Sequence, residues 1–325
     1  MKNHFKIAIT TGDINGIGTE ITAKALAKLR PQKNIQFYLW RSKKTSPREL
    51  KMIDRYFKRT TVTSWSEAMK ATPDFYKTII DIESPLSPAK WVEHSAKAAT
   101  SKSIDAIVTA PLSKTEIIRS GLKDNGHTDI LKRISKTKNI YMSFLGKEMN
   151  VTLLTGHTSI KKAFDKIDSD LLKDCVEKTH AMTNHLPLKF RKKPVAVVGC
   201  NPHAGEQGVI DNKEDDVYVP AIKKMKQKKL SIAGPLVPDV CFQEKERKKY
   251  SYYVASYHDQ GLIPFKMLHG AHSGIQFSLG LPFIRTSVNH GTAKDIFGKN
   301  KADSGSMENA IKIAIRMLNN KTVAW

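Results

Sequence analysis

The sequence has few cysteines and no long apolar run, and each absence excludes a class of protein. Only three cysteines occur among 325 residues, and Cys175, Cys200 and Cys241 lie far apart. An odd number of widely spaced cysteines does not fit a disulfide framework and is typical of a reducing compartment. No uninterrupted apolar run approaches the roughly 20 residues that a membrane-spanning helix needs. We therefore expect a cytoplasmic protein without a membrane partner.

Linkers and internal repeats are also lacking. No glycine-serine or proline-rich stretch divides the chain, and no period typical of a solenoid recurs. Hydrophobic residues make up 40% of the chain and charged residues 26%, which excludes disordered, fibrous and collagen-like proteins. The length predicts one large α/β domain or two closely joined lobes.

Acidic residues are scarce relative to basic ones. The chain has 54 lysines and arginines against 31 aspartates and glutamates, a formal net charge of +23. Such a charge attracts polyanions and favours the collection of phosphorylated substrates. The basic residues nevertheless form many short clusters, such as 41–44, 132–138 and 245–249, rather than one stripe interleaved with aromatic residues. We interpret them as solvated faces and expect no nucleic-acid partner.

Short β-branched runs alternate with amphipathic segments along most of the chain. The predicted strands are Lys6–Thr10, Ile35–Trp40, Ala106–Thr109, Val151–Leu154, Val195–Gly199 and Tyr253–Ser256. The predicted helices are Glu20–Leu29, Pro88–Ser101, Leu171–Leu186 and Ser306–Leu318. This alternation predicts a mostly parallel sheet that helices cover on both faces.

A histidine follows each of three predicted strands. His157, His203 and His258 stand just beyond the strands that begin at 151, 195 and 253. Ligands of open α/β sheets gather beyond the carboxyl ends of the strands. Three imidazoles that leave a position open are the ligand set of a catalytic metal site, most often zinc. A single histidine at such a place is usually a hydrogen-bonded loop residue, so the prediction depends on all three together.

A glycine-containing loop, Thr11–Glu20, follows the first strand and opens the first helix. It does not match G-x-G-x-x-G, so it indicates either a site for phosphate or a plain turn before a helix, and it does not predict a Rossmann fold. Three further loops combine hydroxyls, helix-terminal amides and a guanidinium, which is the chemistry of anion binding. They are 109–114, 126–129 and 285–292.

An ordered series of segments resembles one enzyme family over nearly the whole chain. The most specific are Asn201-Pro-His-Ala-Gly-Glu206, Tyr257-His-Asp-Gln-Gly-Leu262, Leu279-Gly-Leu-Pro-Phe-Ile-Arg-Thr-Ser-Val288 and His290-Gly-Thr-Ala293. They resemble the 4-hydroxythreonine-4-phosphate dehydrogenases of vitamin B6 synthesis, the PdxA proteins. The resemblance implies a fold like that of isocitrate and isopropylmalate dehydrogenases, with two α/β/α lobes and a cleft between them. It also implies a homodimer with the active site at the interface and ligands drawn from both chains.

The resemblance also implies a division of the chain into lobes. Residues 1–130 and 265–325 would form the first lobe, on the cofactor side. Residues 131–264 would form the second lobe, on the metal and dimer side.

Site residues follow from the same resemblance. The implied metal ligands are His157, His203 and His258, with zinc as the first candidate and magnesium, manganese or cobalt as alternatives. The implied substrate contacts are His127, Thr128, Lys266, Gln276 and Arg285, where Gln276 replaces an asparagine that is usual in the family. The cofactor, NAD or NADP, is expected near Gly16, Gly18, Asn289 and Thr292. His203 and Lys266 are the residues assigned to catalysis, Lys266 as a candidate general base or only as a phosphate ligand.

The implied reaction oxidises the 3-hydroxyl of 4-phosphooxy-L-threonine, a small phosphorylated hydroxy amino acid. The 3-oxo acid then loses carbon dioxide and leaves 3-amino-2-oxopropyl phosphate, on the way to pyridoxal phosphate. Two alternatives stay open. A dehydrogenase of 4-phospho-D-threonate or phosphoerythronate would suit the change at Gln276, and a metal-dependent hydrolase would suit three histidines around an open metal site.

Overall fold

The computed structural model describes residues 4–72, 76–270 and 273–323. Its strands are β1 (Phe5–Thr10), β2 (Ile35–Ser42), β3 (Lys58–Val62), β4 (Thr78–Ser84), β5 (Ala106–Thr109), β6 (Tyr141–Leu145), β7 (Val151–Leu153), β8 (Val195–Val198), β9 (Ile232–Leu236), β10 (Tyr252–Ala255), β11 (Ile275–Leu279) and β12 (Ile284–Val288). The six predicted strands are confirmed, with ends that agree within two residues.

The helices fill most of the segments between the strands. They are α1 (Gly18–Leu26), α2 (Pro47–Ile53), α3 (Trp65–Lys70), α4 (Pro88–Thr100), α5 (Lys114–Arg119), α6 (His127–Ser135), α7 (Ile160–Lys166), α8 (Ser169–Met182), α9 (Leu188–Arg191), α10 (Val219–Gln227), α11 (Pro238–Cys241), α12 (Glu244–Arg247), α13 (His258–His269) and α14 (Gly305–Leu318). No helix in the described ranges has both the length and the apolar character that a membrane span requires.

The chain divides into two compact units. The first comprises Met1–Ile140 and Ala271–Asn319, and the second comprises Tyr141–Gly270 and Asn320–Trp325. The boundaries predicted for the lobes, 130/131 and 264/265, fall inside helices α6 and α13. In the structure, helix α6 lies wholly in the first unit and helix α13 wholly in the second. The last described residue, Val323, is held in the second unit because its backbone N–H donates to the carbonyl oxygen of His185 at 2.7 Å.

Within the described residues, the first unit contains seven strands in the order β3-β4-β2-β1-β5-β12-β11. All neighbours pair in parallel except β11 and β12, which are antiparallel. Strands β1, β2 and β5 are mostly buried, as expected of central parallel strands that helices cover on both faces. Trp40 and Trp91 stack with ring centroids 6.3 Å apart in the core of this unit. The antiparallel strands β11 and β12 are neighbours at one end of this order. They carry the predicted substrate contacts Gln276 and Arg285.

The second unit contains five strands in the order β6-β7-β10-β8-β9. Strands β7, β10, β8 and β9 are parallel, and β6 is antiparallel to β7. Strands β7, β10 and β8 are therefore immediate neighbours and share one carboxyl edge. The three histidines of the predicted metal site follow these three strands.

Candidate functional site

His157 and His258 lie side by side beyond the carboxyl ends of β7 and β10. Their ring centroids are 5.1 Å apart at an interplanar angle of 44°. The two strand ends are joined because the hydroxyl of Thr155 donates to the carbonyl oxygen of Ser256 at 2.8 Å. The Nδ1 atom of His258 lies 2.6 Å from a carboxylate oxygen of Asp259, a contact that orients the ring and leaves Nε2 for a ligand.

His203 lies on a turn with unusual backbone geometry. All six residues of 203–208 have positive φ, and four of them, His203, Ala204, Glu206 and Gln207, are not glycine. The left-handed conformation costs about 1–2 kcal/mol for each such residue. Backbone strain of this kind is concentrated at functional sites, where surrounding contacts maintain it. The side chain of His203 is 63% exposed, and its Nδ1 atom lies 3.4 Å from a carboxylate oxygen of Glu206.

The predicted metal ligands are thus only partly brought together in one chain. Among the residues in the described ranges, no group of three or more histidine, cysteine, aspartate or glutamate side chains could hold a metal ion. His157 and His258 suit two positions on one cation, whereas His203 does not join them in such a group.

Arg285 is a buried cation with neutral partners. Its side chain, on β12, is 1% exposed, and within the described residues it forms no ion pair. It donates from Nη1 to Gln276 Oε1 and Ser278 Oγ, both at 3.0 Å, and from Nη2 to Thr109 Oγ1 at 2.6 Å. Its Nε atom is buried and has no hydrogen-bond partner. Burial lowers the pKa of Arg285 to about 9, so the group keeps its charge at neutral pH. An uncompensated buried charge is costly and is typical of an anion-binding site.

His127 is the second polar group with an unused atom. It is the first residue of helix α6, and its Nε2 atom is buried without a hydrogen-bond partner. Burial, and secondarily the charge of Arg285, hold the pKa of His127 well below its usual range. The imidazole is therefore neutral at physiological pH and can donate a hydrogen bond to an anion. Thr128, half-buried in the first turn of the same helix, adds a hydroxyl.

Lys266 lies on helix α13 with an exposed side chain. Its predicted role as a general base depends on burial or on a nearby metal. In a single chain the side chain of Lys266 is exposed, so burial does not act on its amine. Its roles in proton transfer and in phosphate binding both stay predictions.

The predicted cofactor residues belong to two loops that contact each other. The backbone N–H of Ile17 donates to the carbonyl oxygen of Thr292 at 3.0 Å, and a Cβ atom on Gly16 would lie 3.0 Å from that oxygen. A Cβ on Gly18 would lie 2.0 Å from the carbonyl oxygen of Thr11. Asn289 is buried, and its backbone N–H donates to the hydroxyl of Ser306 at 3.2 Å. Backbone packing therefore accounts for both glycines, whatever binds there.

A cavity of about 290 Å³ adjoins the first of these loops. Ile14, Asn15, Thr19 and Phe297 are among the residues that line it. Its volume and mixed polarity would suit part of a dinucleotide.

Two further residues of the site were missed in the sequence. Ser278 stands two positions after Gln276 on β11, so it shares a sheet face with Gln276, and that alternation could have identified it. Glu214 is a buried carboxylate that accepts hydrogen bonds from the backbone N–H groups of Cys200 and Asn201, just before His203. In the sequence it stands in a run of charged residues, a pattern that predicts a solvated face. No local signal distinguishes it.

Comparisons with known proteins identify the family of the chain. The family model described as "Pyridoxal phosphate biosynthetic protein PdxA" matches residues 28–314. The chain is 35% identical to a 4-hydroxythreonine-4-phosphate dehydrogenase from a Sulfurihydrogenibium species, over 95% of this chain and 97% of the relative. It is 30% identical to a D-threonate 4-phosphate dehydrogenase from Pectobacterium atrosepticum, over 96% of this chain and 98% of the relative.

Solved structures show the same likeness. The crystal structure of a 4-hydroxythreonine-4-phosphate dehydrogenase from Klebsiella pneumoniae superposes with a TM-score of 0.75 and 27% identity, covering 98% of both chains. An isocitrate dehydrogenase from Methylococcus capsulatus superposes with a TM-score of 0.53 and 12% identity, covering 97% of this chain and 86% of its own. At that identity the likeness concerns the fold alone. The predicted α/β fold like that of isocitrate dehydrogenase is confirmed.

Proposed function

The chain belongs to the PdxA family, and we propose that it oxidises a hydroxyl group of a small phosphorylated substrate with NAD or NADP as the hydride acceptor. The observation that carries this proposal is the buried charge of Arg285 beside the neutral imidazole of His127. Each side chain has a buried nitrogen without a partner. A phosphate group would accept hydrogen bonds from both nitrogens and compensate the guanidinium charge.

We propose 4-phosphooxy-L-threonine as the substrate of this site. Its phosphate lies against Arg285, His127 and Thr128 in our proposal. Gln276, through its hydrogen bond, holds the guanidinium in one orientation and thereby sets where the phosphate is bound. Fixing one end of the substrate in this way places the hydroxyl at the other end for reaction.

We further propose a divalent cation, zinc first, as part of the active enzyme. His157 and His258 would hold it, and His203 of a second copy would supply the third imidazole. The adjacency of the first two rings supports this assignment, as does the exposure of His203 on its turn. Such a cation would polarise the substrate hydroxyl and stabilise negative charge on its oxygen.

A homodimer would bring these groups together. Large apolar side chains are exposed on both histidine-bearing segments of the second unit: Val209 is 80% and Ile210 44% exposed after His203, and Met267 is 82% and Ile263 58% exposed on helix α13. Exposed apolar surface of this kind is typical of protein interfaces. The proposed dimer would cover it.

The remaining roles follow the chemistry of the reaction. The loops of Gly16, Gly18, Asn289 and Thr292 would hold the nicotinamide cofactor, which would accept the C–H hydrogen as hydride. The hydroxyl proton passes to a base, for which Lys266 is our candidate. The 3-oxo acid that forms then loses carbon dioxide and leaves 3-amino-2-oxopropyl phosphate.

A second candidate substrate is 4-phospho-D-threonate. A relative matched over 96% of this chain is named for that activity, and the amide oxygen of Gln276 accepts a hydrogen bond from Arg285 of the proposed phosphate site. Phosphoerythronate belongs to the same alternative.

Formation of reduced cofactor, followed at 340 nm, tests the proposal. The purified chain is supplied in turn with each phosphorylated substrate, NAD⁺ or NADP⁺, and zinc, magnesium, manganese or cobalt. We expect turnover with 4-phosphooxy-L-threonine to exceed that with the threonate or erythronate. A higher kcat/KM for 4-phospho-D-threonate would assign the second function, and hydrolysis of the substrates without reduced cofactor would identify a metal-dependent hydrolase instead.

A further inference from the structure

Glu214 is a fully buried carboxylate that faces the start of the turn bearing His203. Its side chain is 1% exposed, and no lysine or arginine within the described ranges pairs with it. It opens a short π-helix, Glu214–Tyr218, a geometry that is rare and often found at functional sites.

The carboxylate is satisfied by N–H groups of the segment that leads into the turn. Its Oε1 atom accepts from the backbone N–H of Cys200 at 2.6 Å and of Asn201 at 2.8 Å. Its Oε2 atom accepts from the side-chain amide of Asn201 at 2.9 Å. Hydrogen bonds to an ionised acceptor are about twice as strong as neutral ones, so Glu214 fixes the two residues from which the turn departs.

The turn also packs directly on this carboxylate. Gly205 has φ +83°, and a Cβ atom there would lie 2.9 Å from Glu214 Oε2 and 2.7 Å from the carbonyl oxygen of Asp211. The left-handed turn therefore closes against Glu214, and only glycine allows the approach.

The same segment is tied to the strand that precedes His258. The side-chain amide of Gln260 donates to the carbonyl oxygen of Gly199 at 2.7 Å, and its Oε1 accepts from the backbone N–H of Ser256 at 2.7 Å. The hydroxyls of Tyr218 and Ser256 are 2.7 Å apart, which links the π-helix to the same strand end. Glu214 thus belongs to a buried network that joins the loops of His203 and His258.

We infer that Glu214 is a positioning residue, whose carboxylate clamps the strained turn 203–208 and thereby fixes the orientation in which His203 is presented. The inference rests on the metal role proposed for His203. Four of the six left-handed residues of the turn are not glycine, so the turn needs support from surrounding contacts. Loss of the clamp therefore lets the turn relax toward ordinary backbone conformations.

The test compares Glu214→Gln with Asp216→Asn in the full-length chain. Both changes remove one negative charge from the same π-helix, but Asp216 is exposed. Amide hydrogen exchange across 200–208 reports on the turn, and titration of the metal-free protein with Co²⁺ reports on the site. For Glu214→Gln we expect exchange about 10-fold faster or more and Co²⁺ affinity about 10- to 100-fold weaker, with KM for the phosphorylated substrate within about 2-fold. Asp216→Asn should match the wild type.

Gly205→Ala provides a second route to the same result. A Cβ on residue 205 pushes the turn away from Glu214 Oε2 while the carboxylate is retained, so Gly205→Ala should weaken Co²⁺ binding similarly even if Glu214→Gln does not fold. Unchanged Co²⁺ affinity in Gly205→Ala would contradict the clamp in that case. Unchanged exchange and unchanged Co²⁺ affinity in a folded Glu214→Gln variant would overturn the clamp. Co²⁺ binding that is equally weak in wild type, Glu214→Gln and Asp216→Asn would instead overturn the proposed metal site, and the role of the clamp with it.

Discussion

The rings of His157 and His258 lie 5.1 Å apart at adjacent strand ends. Two imidazoles at this separation can bind one cation, but a catalytic site usually takes three protein ligands. Since His203 does not join the pair within one chain, the proposed third ligand comes from a second copy. That proposal makes a prediction about mixed dimers.

Subunit exchange between two inactive variants should restore activity. In a dimer of one His203→Ala chain and one His258→Ala chain, the first chain supplies His157 and His258 and the second supplies His203 to the same site. One site of two is then intact, and we expect about half of the wild-type activity per mixed dimer. The measurement is the rate of NAD⁺ reduction after the two variants are mixed.

The control is each variant incubated alone, which should stay inactive. If all three ligands came from one chain, both sites of the mixed dimer would lack a ligand. Mixtures as inactive as the single variants, in samples shown to contain mixed dimers, would therefore contradict ligation across the interface.

Replacement of Arg285 by methionine should separate binding from stability. The phosphate loses its buried cation, so we expect kcat/KM for the phosphorylated substrate to fall by an amount equivalent to roughly 2–4 kcal/mol, mostly through KM. The free energy of unfolding should change by no more than about 1 kcal/mol, because removal of an uncompensated buried charge offsets the loss of its hydrogen bonds. Steady-state kinetics and urea denaturation measure the two effects.

Arg119→Met serves as the matched control, since Arg119 is an exposed arginine of the same unit. It should leave both quantities unchanged. An unaltered KM in Arg285→Met would exclude Arg285 from the phosphate site.

The sequence predicted those parts of the molecule that depend on local patterns. Six β-branched runs became strands, and the sequence grouped His157, His203 and His258 because each follows one of them. The pairing of β7 with β10, which brings His157 beside His258, is visible only in the structure. The partners of Arg285 could be predicted only in part. Thr109 stood in a suspected loop, but its contact with Arg285 spans 176 residues and depends on the pairing of β5 with β12.

Backbone conformation was the least predictable property. The segment Asn201-Pro-His-Ala-Gly-Glu206 does not predict a left-handed turn, because most of its residues disfavour positive φ. The turn depends on a carboxylate that follows His203 by eleven positions, within a run of charged residues. Here tertiary contacts outweigh the local preference of these residues for negative φ. Such contacts cannot be read from the residues of the turn alone.

The stability of helix α6, which presents His127, should depend on pH through Glu93. Burial would raise the pKa of this carboxyl, but hydrogen bonds from Lys90 and Arg133 outweigh burial and lower it from 4.5 to about 2. Arg133 lies on α6 and Glu93 on α4, at 3.2 Å. The shift corresponds to about 3 kcal/mol, but the basic partners are partly exposed, so we expect Glu93→Gln to cost about 1–2 kcal/mol at pH 7.

The sign of the pH effect follows from the lowered pKa. A carboxyl with a depressed pKa in the folded state stabilises the protein above its unfolded pKa of 4.5 and loses that contribution as the pH falls toward 2. Denaturation of Glu93→Gln and wild type should therefore differ most at pH 7, differ less from about pH 4.5 downward, and converge only as the pH reaches about 2. A difference that stayed constant from pH 7 to pH 3 would show that charge is not the cause.

Replacement of Gly18 by alanine should disrupt the loop that joins β1 to helix α1. A Cβ atom at this position would lie 2.0 Å from the carbonyl oxygen of Thr11, and a backbone atom cannot move aside as a flexible side chain can. We expect a loss of about 2–4 kcal/mol in the free energy of unfolding, in the range of severe steric substitutions. Gly291→Ala is the matched control, because a Cβ there meets nothing within 4 Å although Gly291 adjoins Thr292 of the proposed cofactor site. Thermal denaturation should separate the two variants clearly, and equal stability would show that the loop around Gly18 can rearrange without cost.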